Sequence, residues 1–286
     1  MELPMKNETV IPIFFACDEP FMKYTCVALK SLICNASKEY RYHVHILCTG
    51  MSEETKQKAY RLADDNFSIF FDDVSSELAD MHSRLHIRDY YSVTTYFRIF
   101  IPDKFPQYDK VIYIDSDTII KGDISELYLM DIGKNYVGGA RDQVVLQLDL
   151  FGEYVEKVLG LPRECYFNAG MLVINSKAFR KNHILDKFVE LLNTYAFVVA
   201  QDQDYLNVLC QNKVYWLDAR WNAETCQEIP CREEDIRIIH YNLAAKPWHY
   251  TDCLYADYFW EYAKQTEDYE ELMYNLEHYT EEERHK

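Results

Sequence analysis

Asp115 and Asp117 stand one residue apart at the carboxyl end of an apolar run, Val111-Ile112-Tyr113-Ile114, with Thr118-Ile119-Ile120 following. On a strand, residues i and i+2 point the same way, so the two carboxylates converge on one point. Like charges held that close repel unless a cation lies between them or one takes a proton. A divalent metal is the natural occupant, and the end of a strand is where open α/β sheets place their ligands. Two solvated aspartates in a turn would also satisfy so short a motif. The rest of the chain argues against that plain reading.

Three further clusters carry polar chemistry. Near the C-terminus runs Ile239-His240-Tyr241-Asn242-Leu243-Ala244-Ala245-Lys246-Pro247-Trp248. Pro247 fixes the backbone and Trp248 offers a rigid apolar anchor, so Lys246 is held at a defined place six residues after a histidine. That pairing suits an anionic group that also touches a metal, a diphosphate above all. Tyr166-Phe167-Asn168-Ala169-Gly170 precedes an apolar strand. Its small residues let a ligand approach the backbone while Asn168 donates and accepts hydrogen bonds; an ordinary turn is the alternative. Gln201-Asp202-Gln203-Asp204 opens a helix, where carboxylates often do no more than cap and complement the dipole.

These residues need a scaffold. Residues 10–16 form a buried strand, 21–34 a helix, 42–48 a second strand, and Ser52 caps a helix. A short strand covers 68–71. A helix opens at Ser92, carries Arg98 and ends at Pro102, and the strand 110–114 follows. Strands separated by helices imply a mainly parallel, doubly wound sheet. The second half is less regular: strands at 136–140, 170–174, 214–217 and 236–241, and one long helix over 177–195. From about Ala256 onward the chain is helical, with aromatics interleaved with acids, which implies a solvated helix packed on one aromatic face. One compact unit is expected, residues 1–250 as the main domain and 251–286 as a helical extension.

The 286 residues carry a formal charge of −17, which argues against nucleic acid and anionic membrane surfaces as partners. An anionic ligand binds such a chain only where a metal and a few cations reverse the local field. No signal peptide and no stretch approaching the ~20 apolar residues of a membrane span is visible. Nine scattered cysteines without a Cys-x-x-Cys pair fit a reducing cytoplasm, with a Cys226–Cys231 disulfide as the one alternative pairing. Any membrane association is at most peripheral, at the inner face, and a homo-oligomer is left open.

Taken together, the ordered motifs resemble the retaining nucleotide-sugar glycosyltransferases of family 8, which include bacterial lipopolysaccharide galactosyl- and glucosyltransferases and glycogenin. The resemblance runs from about Val10 to Trp248. It rests on the opening strand with Asp18, Asp115-Ser116-Asp117, Phe167-Asn168-Ala169-Gly170, Asp202-Gln203-Asp204, and His240 through Trp248. It implies the α/β GT-A fold, with Asp115, Asp117 and His240 binding Mn²⁺ (Mg²⁺ as second choice) and the diphosphate of a UDP-sugar completing the site. Two carboxylates plus an imidazole suit manganese better than calcium. Ala16, Cys17 and Asp18 would meet the uridine, and Ser116 and Ala169 belong to the donor site. Lys246 would hold the diphosphate. Arg98, Asp142, Asn168, Asp202 and Gln203 would surround the donor sugar. The chain departs from the family pattern His-x-x-Gly-x-x-Lys-Pro-Trp at Leu243, so its diphosphate contacts are expected to differ.

The implied reaction moves glucose or galactose from a UDP-hexose to a saccharide or glycolipid acceptor, the acceptor site being built from variable loops such as 75–91. Gln203 falls where the family faces the anomeric carbon, and an amide is a poor nucleophile, so same-face attack is favoured over a covalent intermediate on Asp202. Two rivals remain. A haloacid-dehalogenase-type phosphatase shares the strand followed by Asp-x-Asp-x-Thr, with Asp115 as nucleophile. A non-catalytic nucleotide-sugar binding protein would keep the fold alone.

Overall fold

Val10–Ala16 (β1) is apolar almost throughout and buried along its length, so both of its faces must be covered. In the computed structural model, which describes residues 9–84, 96–197 and 199–280, it lies inside a seven-stranded sheet. The other strands of that sheet are Arg41–Cys48 (β2), Phe67–Asp73 (β3), Val111–Ile114 (β4), Val137–Arg141 (β6), Phe167–Ile174 (β7) and Val214–Leu217 (β8), in the order β3-β2-β1-β4-β7-β6-β8. Thr118–Ile120 (β5), Ala223–Glu224 (β9) and Ile238–His240 (β10) form a small second sheet with β10 in the middle. All pairings in the large sheet are parallel except those of β7, which runs against both β4 and β6. This reversal brings the first residues of β7 to the edge where β1, β4 and β6 end.

The helices are Met22–Asn35 (α1), Glu53–Tyr60 (α2), Ser75–Arg84 (α3), Phe97–Lys104 (α4), Ile124–Leu129 (α5), Gln143–Gln147 (α6), Asp149–Tyr154 (α7), Ser176–Lys181 (α8), Ile184–Thr194 (α9), Asp202–Leu209 (α10), Ala256–Ala263 (α11) and Tyr269–His278 (α12). Ser52 caps α2 as expected, its hydroxyl accepting from Thr55 N at 3.3 Å. Two cores lie on either side of the large sheet: Ile13, Phe15, Val44 and Ile112 on one, Phe14, Leu47, Tyr113 and Leu172 on the other. A third holds Tyr24 of α1, Ile119, Ile239, Tyr241, Trp248, Phe259 and Leu272, so α11 and α12 share apolar contacts with the small sheet.

Several expectations shift. The helix over 177–195 is two, α8 and α9, parted by His183 at φ 53°, a left-handed residue through which a right-handed helix does not propagate. Asn168, Ala169 and Gly170 lie inside β7 rather than in a turn before it. Pro102 does not stop α4, which continues to Lys104; only the bond from its own nitrogen is forfeited, and Phe105 N still reaches Ile101 O at 3.0 Å. The acceptor loop expected at 75–91 is helical as far as Arg84, with 85–91 outside the described residues, as is Ser92, the expected start of α4. All nine cysteines are free, Cys226 and Cys231 included. Among the described residues no helix is long and apolar enough to cross a membrane.

Candidate active site

The strand order explains how residues more than a hundred positions apart meet. Asp115-Ser116-Asp117 is the link by which the chain leaves β4 in the large sheet for β5 in the small one. β5 pairs antiparallel with β10, setting His240 opposite Thr118, and Tyr241 N donates to Asp117 O at 2.9 Å. One ligand atom from each of Asp115, Asp117 and His240 then falls within 4.8 Å of the others. Gly170 of β7 closes the group from the fourth side. A Cβ there would run into the His240 ring and come within 2.8 Å of Asp115 Oδ2, so glycine keeps the cradle open.

Cations flank both carboxylates. Lys246 Nζ donates to Asp117 Oδ2 and to Tyr241 O, and His240 Nε2 lies 3.4 Å from Asp117 Oδ1. Burial alone would raise the Asp117 carboxyl; Lys246 and His240 more than reverse that and hold it well below the usual carboxylate range. Arg98 is 5% exposed. Its Nε is 2.8 Å from Asp202 Oδ2, its Nη2 is 3.5 Å from Asp115 Oδ1, and Nη1 donates to Ala169 O. Burial would lower its pKa, and Asp115 and Asp202 outweigh that, so the guanidinium stays charged. Asp202 is therefore an ion-pair partner, more than the helix cap its position suggested.

A second polar group lies beside the first. Asp142 caps α6 through Val145 N at 2.8 Å, and its other oxygen accepts from Asn168 Nδ2 at 3.1 Å and Gln203 Nε2 at 3.0 Å. Gln203 Oε1 accepts from Ala169 N at 2.8 Å. Asn222 joins the two groups: its Nδ2 donates to Asn168 Oδ1 at 2.9 Å, and its Oδ1 lies 2.9 Å from His240 Nδ1. That contact places a ring proton on Nδ1 and turns Nε2 toward Asp117, as the ring's ligand atom. These polar side chains, Asn222 and Lys246 apart, line a cavity of about 300 Å³, together with Val144, Val145, Phe151, Val155 and Leu243.

Eight expected residues line this cavity: Arg98, Asp115, Asp117, Asp142, Asn168, Asp202, Gln203 and His240. Ala16, Cys17, Asp18, Ser116, Ala169 and Lys246 do not line it. The Cys17 side chain is buried against Met22, and burial pushes its thiol up to about 12. Asp18 accepts from Phe21 N at 3.0 Å at the entry to α1, and Ser116 accepts from the Thr25 hydroxyl at 2.8 Å. Ala169 presents its backbone to Arg98 and Gln203.

Sequence reasoning missed four contributors. Tyr113 donates to Asp115 Oδ1 at 2.7 Å, and strand periodicity would have found it, two residues before Asp115 on the same face. Tyr166 and Tyr154 donate to Asp204 at 2.5 and 2.8 Å, and Asp204 was read only as a capping residue. Asn222, in an irregular stretch, carried no signal at all.

A mainly parallel sheet whose carboxyl edge joins an Asp-x-Asp pair to a distant histidine defines a glycosyltransferase of the GT-A class. The chain matches glycosyl transferase family 8 over residues 12–252 and belongs to that family. It is similar to a putative glycosyltransferase of Haemophilus influenzae, 31% identical over 83% of this chain and 72% of that one. A lipopolysaccharide 1,2-glucosyltransferase of Escherichia coli is 25% identical over 86% of this chain and 76% of its own length. The galactosyltransferase LgtC, solved with donor and acceptor sugar analogues, superposes with a TM-score of 0.72 at 25% identity, over 92% of this chain and all of LgtC. Family membership leaves the haloacid-dehalogenase alternative without support.

Proposed function

We propose that the protein transfers glucose or galactose from a UDP-hexose to a saccharide or glycolipid acceptor, with retention at the anomeric carbon and with Mn²⁺ bound by Asp115, Asp117 and His240. The observation that carries this reading is the meeting of those three ligands, through Asn222, with Asp142, Asn168 and Gln203 in one cavity. Two carboxylates and an imidazole whose Nε2 points into the same group make a donor set that fits a divalent ion. A bound metal would supply Lewis-acid stabilisation of the negative charge left on the departing diphosphate.

The chain's own groups do the rest. Lys246, pinned between Tyr241 O and Asp117, brings a positive charge to the diphosphate side. Arg98 holds Asp115 and Asp202 in place from behind. Asp142, Asn168 and Gln203 present oriented acceptors and donors to sugar hydroxyls. Gln203 is engaged through both ends of its amide, and Asp202 is ion-paired with Arg98, so neither is a free nucleophile. This supports attack by the acceptor hydroxyl on the face the leaving group vacates, the hydroxyl proton passing to the departing phosphate.

The test is the thermal midpoint with UDP, UDP-glucose and UDP-galactose, with and without Mn²⁺ or Mg²⁺, on wild type and Asp117→Ala. A rise that needs the metal and vanishes in the variant is expected. The absence of any rise with every UDP compound would sink the donor assignment. Substantial activity in Asp202→Asn would rule out a covalent sugar on that residue.

A further inference from the structure

Glu224 is fully buried, and the proposed reaction makes no use of it. Burial, and after it the Asp142 carboxylate, pushes its carboxyl well up. A carboxyl in so dry a place costs stability unless its oxygens are satisfied. They are satisfied from two segments that reach the cavity. Oε1 accepts from Gln143 N at 3.1 Å, and the Val144 amide also donates to the carboxyl. Oε2 accepts from Asn242 Nδ2 at 2.8 Å, and Asn242 Oδ1 in turn receives the Cys226 thiol at 2.9 Å.

Gln143 and Val144 open α6, and Asp142 is its cap. The first three amides of α6 are thus divided between two carboxyl groups. Glu224 takes Gln143 N and Val144 N; Asp142 takes Val145 N and turns its other oxygen to Asn168 and Gln203. Gln143 N belongs to the planar peptide unit that begins at the Asp142 carbonyl, so a bond to that nitrogen also fixes the Asp142 backbone. Asp142 and Asn242 line the cavity, whereas Glu224 is not among its lining residues. From this division of bonds we infer that Glu224 is a positioning residue of the donor-sugar site. By holding the peptide unit between Asp142 and Gln143, it sets where the Asp142 carboxylate meets the sugar. This rests on the transferase reading above.

The experiment is calorimetric titration with UDP, UDP-glucose and UDP-galactose, Mn²⁺ present, of wild type, Glu224→Met and Glu224→Gln. Methionine keeps the bulk and removes both acceptors, while glutamine keeps one acceptor for the α6 amides. In Glu224→Met, affinity for the UDP-hexose that wild type prefers is expected to fall at least about tenfold. UDP, which lacks the sugar, should stay within about threefold, and Glu224→Gln should stay within about threefold for both ligands. Because the residue acts through Asp142, adding Glu224→Met to Asp142→Ala should cost no further UDP-hexose affinity.

Four results would each overturn the inference and leave the transferase standing. They are an unchanged UDP-hexose affinity in Glu224→Met, an equal loss with UDP, a glutamine variant as weak as the methionine one, and a full additional loss on top of Asp142→Ala. Urea midpoints show which variants fold. If Glu224→Met does not, Glu224→Asp, whose oxygens are withdrawn by one methylene, takes its place with the same expectations. Wild type that binds neither UDP nor a UDP-hexose would remove the transferase reading and the inference with it.

Discussion

Asp117 and Asp204 line the same cavity, and their chemistry runs in opposite directions. Asp117 faces the Lys246 ammonium and the His240 ring, and these partners hold its carboxyl far below the usual range. Asp204 is fully buried, and burial raises its pKa against the pull of Tyr166, Ala200 N and Tyr154. Desolvation acts on both; the partners decide. At the Asp117 end carboxylates meet a lysine and a histidine, a charged setting that suits the metal and the diphosphate of the proposed reaction. Around Asp204, tyrosines and amides give directional bonds with little charge, which suits a neutral sugar. The Tyr166 phenol, itself pushed well up by burial and by Asp204, stays a donor and also receives Gln203 Nε2 at 3.2 Å.

The largest break in this contrast comes from the charged end. Asp117→Ala removes a proposed metal ligand and leaves Lys246 and His240 without their shared carboxylate. Loss of kcat/KM on the order of a thousandfold is expected, read as UDP release with acceptor present. The same variant should lose the metal-dependent midpoint rise. Activity within about tenfold of wild type would show that Asp117 is not part of a metal site.

Asn222 tests whether the two ends are one device. It holds His240 through Oδ1 and Asn168 through Nδ2, so Asn222→Ala frees the imidazole and unties Asn168 together. Metal affinity is expected to fall about 10–100-fold, as for other lost partners of ligating histidines. Calorimetric titration with Mn²⁺ measures it. An unchanged affinity would separate the ends and make Asn222 a packing residue.

How much of this was legible beforehand depends on the kind of pattern involved. Asp115 and Asp117 stood out because strand periodicity is two and the run before them is apolar. Lys246 stood out because Pro247 and Trp248 announce a fixed loop, and Trp248 does stack on Tyr24, 4.0 Å between ring centres. The alternating first half, with its buried strands, was readable for the same reason. Asn222 was invisible because its role exists only once β10 lies beside β9. The reversal of β7 was equally hidden: a buried strand has the same apolar sequence in either direction, and it is that reversal which delivers Asn168 and Ala169 to Asp142 and Gln203. Asp204 was misjudged because first-turn carboxylates usually face water, whereas here two tyrosines cover it.

The pH dependence of Asp204 sharpens the other half of the contrast. A carboxyl whose folded pKa is raised contributes stability below its unfolded value, about 3.9, and loses it as pH rises through the folded value. Asp204→Asn fixes a neutral side chain and escapes that loss. Its stability relative to wild type should therefore improve from pH 4 upward, ending within about 1 kcal/mol of wild type at pH 7. Urea midpoints across that range give the answer. A penalty that grows with pH would mean the ionised carboxylate is the stabilised form in the fold.

The smallest expected effect concerns Leu243, among the residues that line the cavity. Its backbone sits at φ 56°, a left-handed conformation that costs an L-residue about 1–2 kcal/mol and glycine almost nothing. The conformation is imposed from both sides: Asn242 Nδ2 donates to Glu224 Oε2 at 2.8 Å, and Lys246 is tied to Tyr241 O and Asp117. Leu243→Gly should keep the same path while relieving the strain. Part of that gain is offset by the freer unfolded chain of glycine, leaving about 0.5–1 kcal/mol, or a midpoint about 2 °C higher. The side chain is 57% exposed, so little burial is given up. With no side chain at this position the backbone can approach a diphosphate more closely, and the KM for UDP-hexose should fall. A lower midpoint would show that the leucine's contacts at the cavity mouth outweigh its strain. A higher midpoint with an unchanged KM would show that this part of the loop does not touch the donor.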